Sequence, residues 1–70
     1  MSPVKVKPSQ VRDGDLVQVI GAGMTAVAGP PHPVGWSQAW ACPVFEFATI
    51  GGVEPWRQPE ELPVEVWRED

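Results

Sequence analysis

The chain has 70 residues, 43% of them hydrophobic, and a formal net charge of −4. This length allows one domain with a small core, and the hydrophobic fraction is too high for a disordered chain. The acidic balance disfavours nucleic-acid binding, and no run of about 18 apolar residues is present to span a membrane. Nine prolines and seven glycines without a repeating period favour short strands joined by turns over long helices.

The N-terminal part predicts an edge strand, a turn and a first long strand. Residues 4–7 (Val-Lys-Val-Lys) alternate, which is typical of an edge strand with exposed lysines. Residues 8–10 predict a turn or a single 3-10 turn, with Val11 pointing inward. Residues 13–15 (Asp-Gly-Asp) predict a tight turn, because glycine tolerates positive φ. This turn leads into a strand over residues 16–20.

The middle of the chain predicts a hairpin, a long loop and an irregular segment. Residues 21–23 suit a hairpin loop, and residues 24–28 suit a weak returning strand. Residues 29–35 (Gly-Pro-Pro-His-Pro-Val-Gly) predict a projecting proline-rich loop, because prolines fix φ and remove backbone donors. Residues 36–42 are compatible with a strand, a turn or a short helix, and we expect an irregular approach to the next strand.

The second strong strand is predicted over residues 43–50. Phe45 and Phe47 alternate with Glu46, so we expect the two aromatic rings on the buried face and the carboxylate outside. The glycine pair at residues 51–52 predicts a tight hairpin.

The C-terminal part predicts an edge strand over residues 53–57, because Pro55 cannot donate to a central ladder. A turn over residues 58–63 and a closing strand over residues 64–68 complete the chain. The sequence thus predicts one all-β domain over residues 1–70: a small SH3-like barrel of five to six short antiparallel strands, with little or no helix. The predicted core consists of Val6, Val11, Leu16, Val19, Val27, Phe45, Phe47, Ile50, Val64 and Val66.

Two short motifs frame the chain: Gly14-Asp15 before an apolar run, and Val64-x-Val66-x-Arg68 near the C-terminus. In this order they resemble small uncharacterised proteins of actinobacteria and their phages, including mycobacteriophages, that share a "Gly-Asp-hydrophobic … Val-x-Val-x-Arg" frame. The resemblance implies a β-barrel fold and an actinobacterial or phage origin, and it carries over no catalytic residue. The proline-rich segment and the tryptophans that follow it depart from the simple frame.

Catalytic and metal constellations are sparse. A zinc site needs three or four ligands, whereas the chain has one histidine, His32, and one cysteine, Cys42. Cys42 lacks the basic neighbours that would activate a thiol, and Asp13 and Asp15 beside a glycine are common turn chemistry. We therefore predict no enzyme activity, no catalytic residue, no cofactor and no metal site.

Four tryptophans are many for so small a core. A barrel of this size hides one or two, so we expect the others to be partly exposed, either as protein-interface anchors or as caps over the barrel ends. The proline-rich segment also contains a Pro-x-x-Pro spacing. The predicted partner-binding residues are Trp36, Trp40, Trp56, Arg57, Trp67, Pro30, Pro31 and Pro33.

The leading hypothesis is a non-enzymatic protein–protein interaction module, encoded by a phage or an actinobacterium and acting on a host protein or associating with itself as a homo-oligomer. The alternatives are a small nucleic-acid-binding barrel that uses aromatic stacking, and a structural or assembly component of a virion. The lone Cys42 and the absence of a signal-peptide pattern predict a cytoplasmic location, in the host cell if a phage encodes the chain. No membrane partner is expected.

Overall fold

The polypeptide folds into one antiparallel sheet of six strands in the order β1-β6-β2-β3-β4-β5. The computed structural model describes residues 2–21, 23–52 and 54–69. Helical structure in these residues is limited to the 3-10 turn Pro8–Gln10, and none of it is long and apolar enough to cross a bilayer. The prediction of an all-β, barrel-like fold is confirmed. The strands are β1 Ser2–Val6, β2 Leu16–Val19, β3 Gly23–Ser37, β4 Cys42–Thr49, β5 Trp56–Pro59 and β6 Val64–Arg68.

The turn of residues 13–15 aligns β2 with β3, as the sequence predicts. Gly14 has a φ of 88°, a conformation that a Cβ would strain. Its N–H donates to the Val27 carbonyl at 2.8 Å, and the Val27 N–H donates to the Asp15 carbonyl at 2.8 Å. These bonds extend the ladder in which Leu16 pairs with Ala26. A local glycine requirement therefore sets the register of the central strands.

The core is an aliphatic cluster with one aromatic stack. Phe47 and Trp56 pack with their ring centroids 5.5 Å apart and an interplanar angle of 21°. Val6, Val19 and Trp56 pack against the fully buried residues. Those buried residues are Val11, Val17, Val27, Phe47, Val64 and Val66.

Three of the ten predicted core positions are wrong. Leu16 and Phe45 are only half-buried, and Ile50 is 76% exposed. Val17, which was not predicted, is fully buried in place of Leu16. The reason is alternation: β2 turns residue 17 towards the core, so residue 16 faces outward. Ile50 lies beyond the end of β4, in the turn.

The proline-rich loop predicted for residues 29–35 is also wrong, because these residues belong to β3. β3 continues past its pairing with β2 and pairs with β4 as far as Ser37. Its register shifts between Ala28 and His32 and again between Pro33 and Gly35. Prolines lack an N–H, and bulges and edges are the places where a strand tolerates that loss.

Two other boundaries differ from the prediction. Residues 36–42 form the end of β3, a turn over residues 38–41 and the start of β4, rather than an irregular approach. β5 begins three residues later than predicted, after Pro55, and it occupies the predicted edge of the sheet. Ala22 of the predicted hairpin loop and Val53 of the predicted edge strand lie outside the described residues.

Candidate functional site

β3 and β4 extend beyond the core as a two-stranded projection, which we call the distal hairpin (residues 29–46). Pro33 pairs with Phe45, and Trp36 pairs with Pro43. Residues directly opposite each other in an antiparallel pair point to the same face. Phe45 alternates in phase with the buried Phe47, so these four side chains continue the core face outward. We call Pro33, Trp36, Pro43 and Phe45 the tryptophan face.

The end of the distal hairpin exposes apolar side chains. Trp36 is 63% exposed, Trp40 is 47% exposed and Val34 is 43% exposed. The Trp40 N–H donates to Oγ of Ser37 at 3.2 Å, which ties the turn together. Large apolar side chains grouped in this way are typical of a surface that binds another molecule.

The opposite face of the distal hairpin carries a three-strand charge cluster. His32 pairs with Glu46 in the β3–β4 ladder, and Glu46 pairs with Arg57 in the β4–β5 ladder. Arg57 Nε donates to Glu46 Oε2 at 2.7 Å, and His32 Nε2 lies 3.6 Å from Glu46 Oε1. The cluster connects the distal hairpin to β5. Arg57, a predicted partner-binding residue, therefore lies on the side away from Trp36.

Trp56 is part of the core rather than of the exposed surface. Its ring stacks on Phe47. Its Nε1–H donates to Oε1 of Gln58 at 2.9 Å, so the polar end of the indole is already satisfied. The structure thus separates Trp56 from Trp36 and Trp40, with which the sequence analysis grouped it.

Trp67 occupies a third location, on the outer side of the sheet. It pairs with Pro3 of β1 and with Leu16 of β2, and it is half-buried. Together with Arg12 and Glu69 it lines a shallow cleft of about 400 Å³. Charged groups of both signs border this cleft, in contrast to the tryptophan face of the distal hairpin.

The three predicted prolines all lie in β3. Pro30 and Pro33 are exposed, and Pro31 is half-buried. Pro33 shares the tryptophan face with Trp36 through the register of the strands. Of the eight predicted partner-binding residues, the distal hairpin therefore brings together the three prolines, Trp36 and Trp40.

The distal hairpin lies almost entirely within a span of sequence that contains no charged residue. Residues 16–45 contain no aspartate, glutamate, lysine or arginine. This charge-free span includes β2, β3 and the first part of β4. Net charge and composition are averages over the whole chain, so they do not show the charge-free span. The positions of the charged residues along the sequence show it directly.

The polar residues considered for catalysis serve the backbone or lie apart. Asp13 Oδ1 accepts the Gly29 N–H at 2.7 Å, and Asp15 Oδ2 accepts the Arg12 N–H at 2.8 Å. Only the bond to Arg12 lies within the turn, because Asp13 reaches β3 and Asp15 also pairs with Arg68 of β6. Cys42 is buried opposite Ser37 at one end of the β4 ladder, whereas His32 lies opposite Glu46. The histidine and the cysteine are thus separated by roughly 13 Å along the strand direction and do not form a reactive pair.

The distal hairpin is therefore the candidate site: a projection that carries two exposed indoles, four prolines and, apart from Glu46 on its opposite face, no charged side chain. Its chemistry suits binding by apolar contact, because Trp36, Trp40 and Val34 are its large exposed apolar side chains. Comparison of the chain with protein-family models, with curated proteins and with solved structures gave no match.

Proposed function

We propose that this protein is a non-enzymatic binding module that recognises another protein through the end of its distal hairpin. The observation that carries the proposal is the exposure of Trp36 (63%) and Trp40 (47%) within a span of sequence, residues 16–45, that contains no charged residue. Tryptophan is enriched among the residues that dominate protein–protein affinity, and such residues lie in interface centres with few charges.

The rigidity of the distal hairpin supports the same proposal. β3 pairs with β4 from His32 to Ser37 with one register shift, and β5 pairs with β4 over Val44–Phe47. At the turn, the bond from Trp40 to Ser37 limits backbone freedom. A preformed surface loses little conformational entropy on binding, so more of its contact energy contributes to affinity.

The charge pattern favours a protein partner over a nucleic acid. Aromatic stacking on single strands works together with basic groups that bind phosphates. The charge-free span supplies no lysine or arginine beside Trp36 and Trp40, and the nearby Arg57 is paired with Glu46. A role in virion assembly would use the same surface, with a structural protein as the partner.

The proposal extends to where the protein acts. The resemblance of the Gly-Asp and Val-x-Val-x-Arg frame to actinobacterial and phage proteins favours the cytoplasm of an actinobacterial host. A single cysteine, Cys42, suits a reducing compartment, since it leaves no pair for an intramolecular disulfide. In such a setting the partner would be a host protein or another copy of the chain.

The test compares two tagged double variants with the unaltered protein. Trp36→Gln/Trp40→Gln removes the exposed indoles, whereas Met24→Gln/Ile50→Gln removes two exposed apolar side chains outside the distal hairpin. A partner is first captured from the native cells, and its complex with the protein is then reconstituted from purified components. The partner should bind the control variant with the same affinity as the unaltered protein. Its affinity for the tryptophan variant should be at least about tenfold lower, the loss expected for a hot-spot residue.

Two outcomes would overturn the proposal. One is a reconstituted complex with equal affinity for the tryptophan variant and the unaltered protein. The other is tight binding of a single-stranded oligonucleotide with a steep salt dependence, since that would identify a phosphate-dependent surface.

A further inference from the structure

We propose that the distal hairpin binds a second copy of itself, so that the functional unit is a two-fold dimer joined through its tryptophan faces. This inference rests on the proposed function and names the partner. It concerns only Pro33, Trp36, Pro43 and Phe45, with Trp40 at the adjoining turn.

The tryptophan face is complementary to itself. A two-fold interface brings the same patch of both copies together, so residue i of one copy contacts residue j of the other, and the reverse. The tryptophan face contains both halves of a favourable contact, because Trp36 lies directly beside Pro43 and on the same face as Pro33. Proline rings dock well against aromatic side chains. Trp36 of each copy can therefore pack on the prolines of its partner.

The distal hairpin has a free backbone edge along part of β3. Among the described residues, β2 pairs with β3 as far as Ala26, and residues 13–15 bond to Val27 and Gly29, so the free edge of β3 begins after Gly29. Pro30, Pro31 and Pro33 lack the N–H groups that an added strand would need. Prolines at such an edge block edge-to-edge pairing. Association through this edge of the distal hairpin is therefore disfavoured, which leaves the side chains of its faces, including Trp36.

The distribution of charge also favours contact between two copies at this face. The chain carries a net charge of −4, so two copies repel each other through most of their surfaces. The charge-free span over residues 16–45 is where two copies can meet without opposing like charges. It also removes the cost of burying unpaired charges in the interface.

The size of the surface predicts a weak, reversible dimer. The solvent-accessible surface is 4589 Å², and a standard interface buries about 800 Å² per partner, roughly one-sixth of that total. The end of one hairpin can supply only part of this area. We therefore expect a small interface with a dissociation constant on the order of 10 µM.

The experiment is sedimentation velocity over a concentration series from about 1 µM to about 500 µM, which brackets that dissociation constant. The unaltered protein should change from monomer to dimer over the series. Added salt should not weaken the dimer, because no ion pair holds the interface and salt screens the repulsion between two acidic copies. Trp36→Gln should weaken dimerisation at least about tenfold. Ile50→Gln, a matched exposed site outside the distal hairpin, should leave it unchanged. Circular dichroism of each variant verifies that the fold is intact.

Some results would overturn the inference. An unaltered protein that stays monomeric up to about 500 µM would exclude a dimer of the expected strength. If Trp36→Gln/Trp40→Gln still loses an unlike partner in that case, self-association fails and the proposed function stands. A dimer that persists in Trp36→Gln and dissociates in Ile50→Gln would assign the contact to a different surface. If no partner of any kind responds to the tryptophan variants, both proposals fail.

Discussion

Asp15 and Arg68, separated by 53 positions in the chain, form an ion pair of 2.6 Å between Oδ2 and Nη2. The carboxylate is buried and the guanidinium is 16% exposed. The same carboxylate oxygen accepts the Arg12 N–H, and the same guanidinium nitrogen donates to the Gln10 carbonyl at 3.3 Å. The pair thus fastens the turn before β2 to the end of β6. The two motifs that frame the sequence, Gly-Asp and Val-x-Val-x-Arg, are the two sides of this one contact.

Arg68→Met should therefore destabilise the protein by about 3 kcal/mol, because it leaves the Asp15 carboxylate buried without its cation. Asp15→Asn should cost less, because the amide oxygen still accepts the Arg12 N–H. Urea unfolding followed by circular dichroism measures both losses. A loss below about 1 kcal/mol for Arg68→Met would show that the pair contributes no more than an ordinary surface ion pair.

The exposed pair of Arg57 and Glu46 provides the contrast. Its distance, 2.7 Å, is nearly the same, but the arginine side chain is 67% exposed. Arg57→Met should cost no more than about 0.5 kcal/mol, because water and salt screen the attraction. The difference in stability between this variant and the unaltered protein should be small at low salt and should disappear at high salt. The difference in stability caused by Arg68→Met should persist at high salt.

The features that the sequence predicts correctly depend on short-range rules. The turn at residues 13–15 needs a positive φ, which glycine supplies at position 14. The closing strand alternates over residues 64–68 and is found with those bounds. Both signals can be read from a few neighbouring residues, so no knowledge of the rest of the fold is needed.

The features that the sequence misses depend on distant partners. Prolines at 30, 31 and 33 read locally as a loop, and only the β4 ladder with its register shifts makes them a strand. The composition predicts that some tryptophans lie outside the core, but only the stacking of Trp56 on Phe47 shows which one belongs to the core. Trp36 and Trp40 are exposed because the β3–β4 pairing continues beyond the core as far as Ser37. A loop over residues 29–35 would not have allowed this pairing.

The orientation of β2 leads to a sharper test of the same point. Val17 is fully buried, whereas Leu16 is half-buried on the outer side. Val17→Ala should destabilise the protein by about 2 kcal/mol, because it leaves a cavity in the core. Leu16→Ala removes a larger side chain yet should cost about 1 kcal/mol or less, because solvent already reaches it. Urea unfolding measures both losses. If Leu16 were the inward residue, Leu16→Ala would destabilise the protein more than Val17→Ala.

Glu60 joins the loop before β6 to the 3-10 turn. One carboxylate oxygen accepts the Ser9 N–H at 3.0 Å, and the other accepts the Ser9 hydroxyl. Glu60→Gln removes the charge from both bonds and should cost about 1–2 kcal/mol, as expected for part-buried bonds to a charged group. The adjacent Glu61 is exposed, so Glu61→Gln is the matched control and should leave the thermal midpoint unchanged. Equal shifts for the two variants would contradict a structural role for Glu60.

Acrylamide quenching of fluorescence tests the placement of the four indoles. Trp36 and Trp40 are exposed, so most quenchable emission should come from them, and Trp36→Phe/Trp40→Phe should remove it. Trp56→Phe should leave the quenchable fraction nearly unchanged, because stacking on Phe47 and the bond to Gln58 shield that ring. The measurement belongs at about 1 µM, where a dimer with a dissociation constant near 10 µM is mostly dissociated. Raising the concentration should then protect Trp36 from acrylamide if the tryptophan faces meet. Quenching that stays constant with concentration, in a protein that does dimerise, would place the dimer contact elsewhere on the surface.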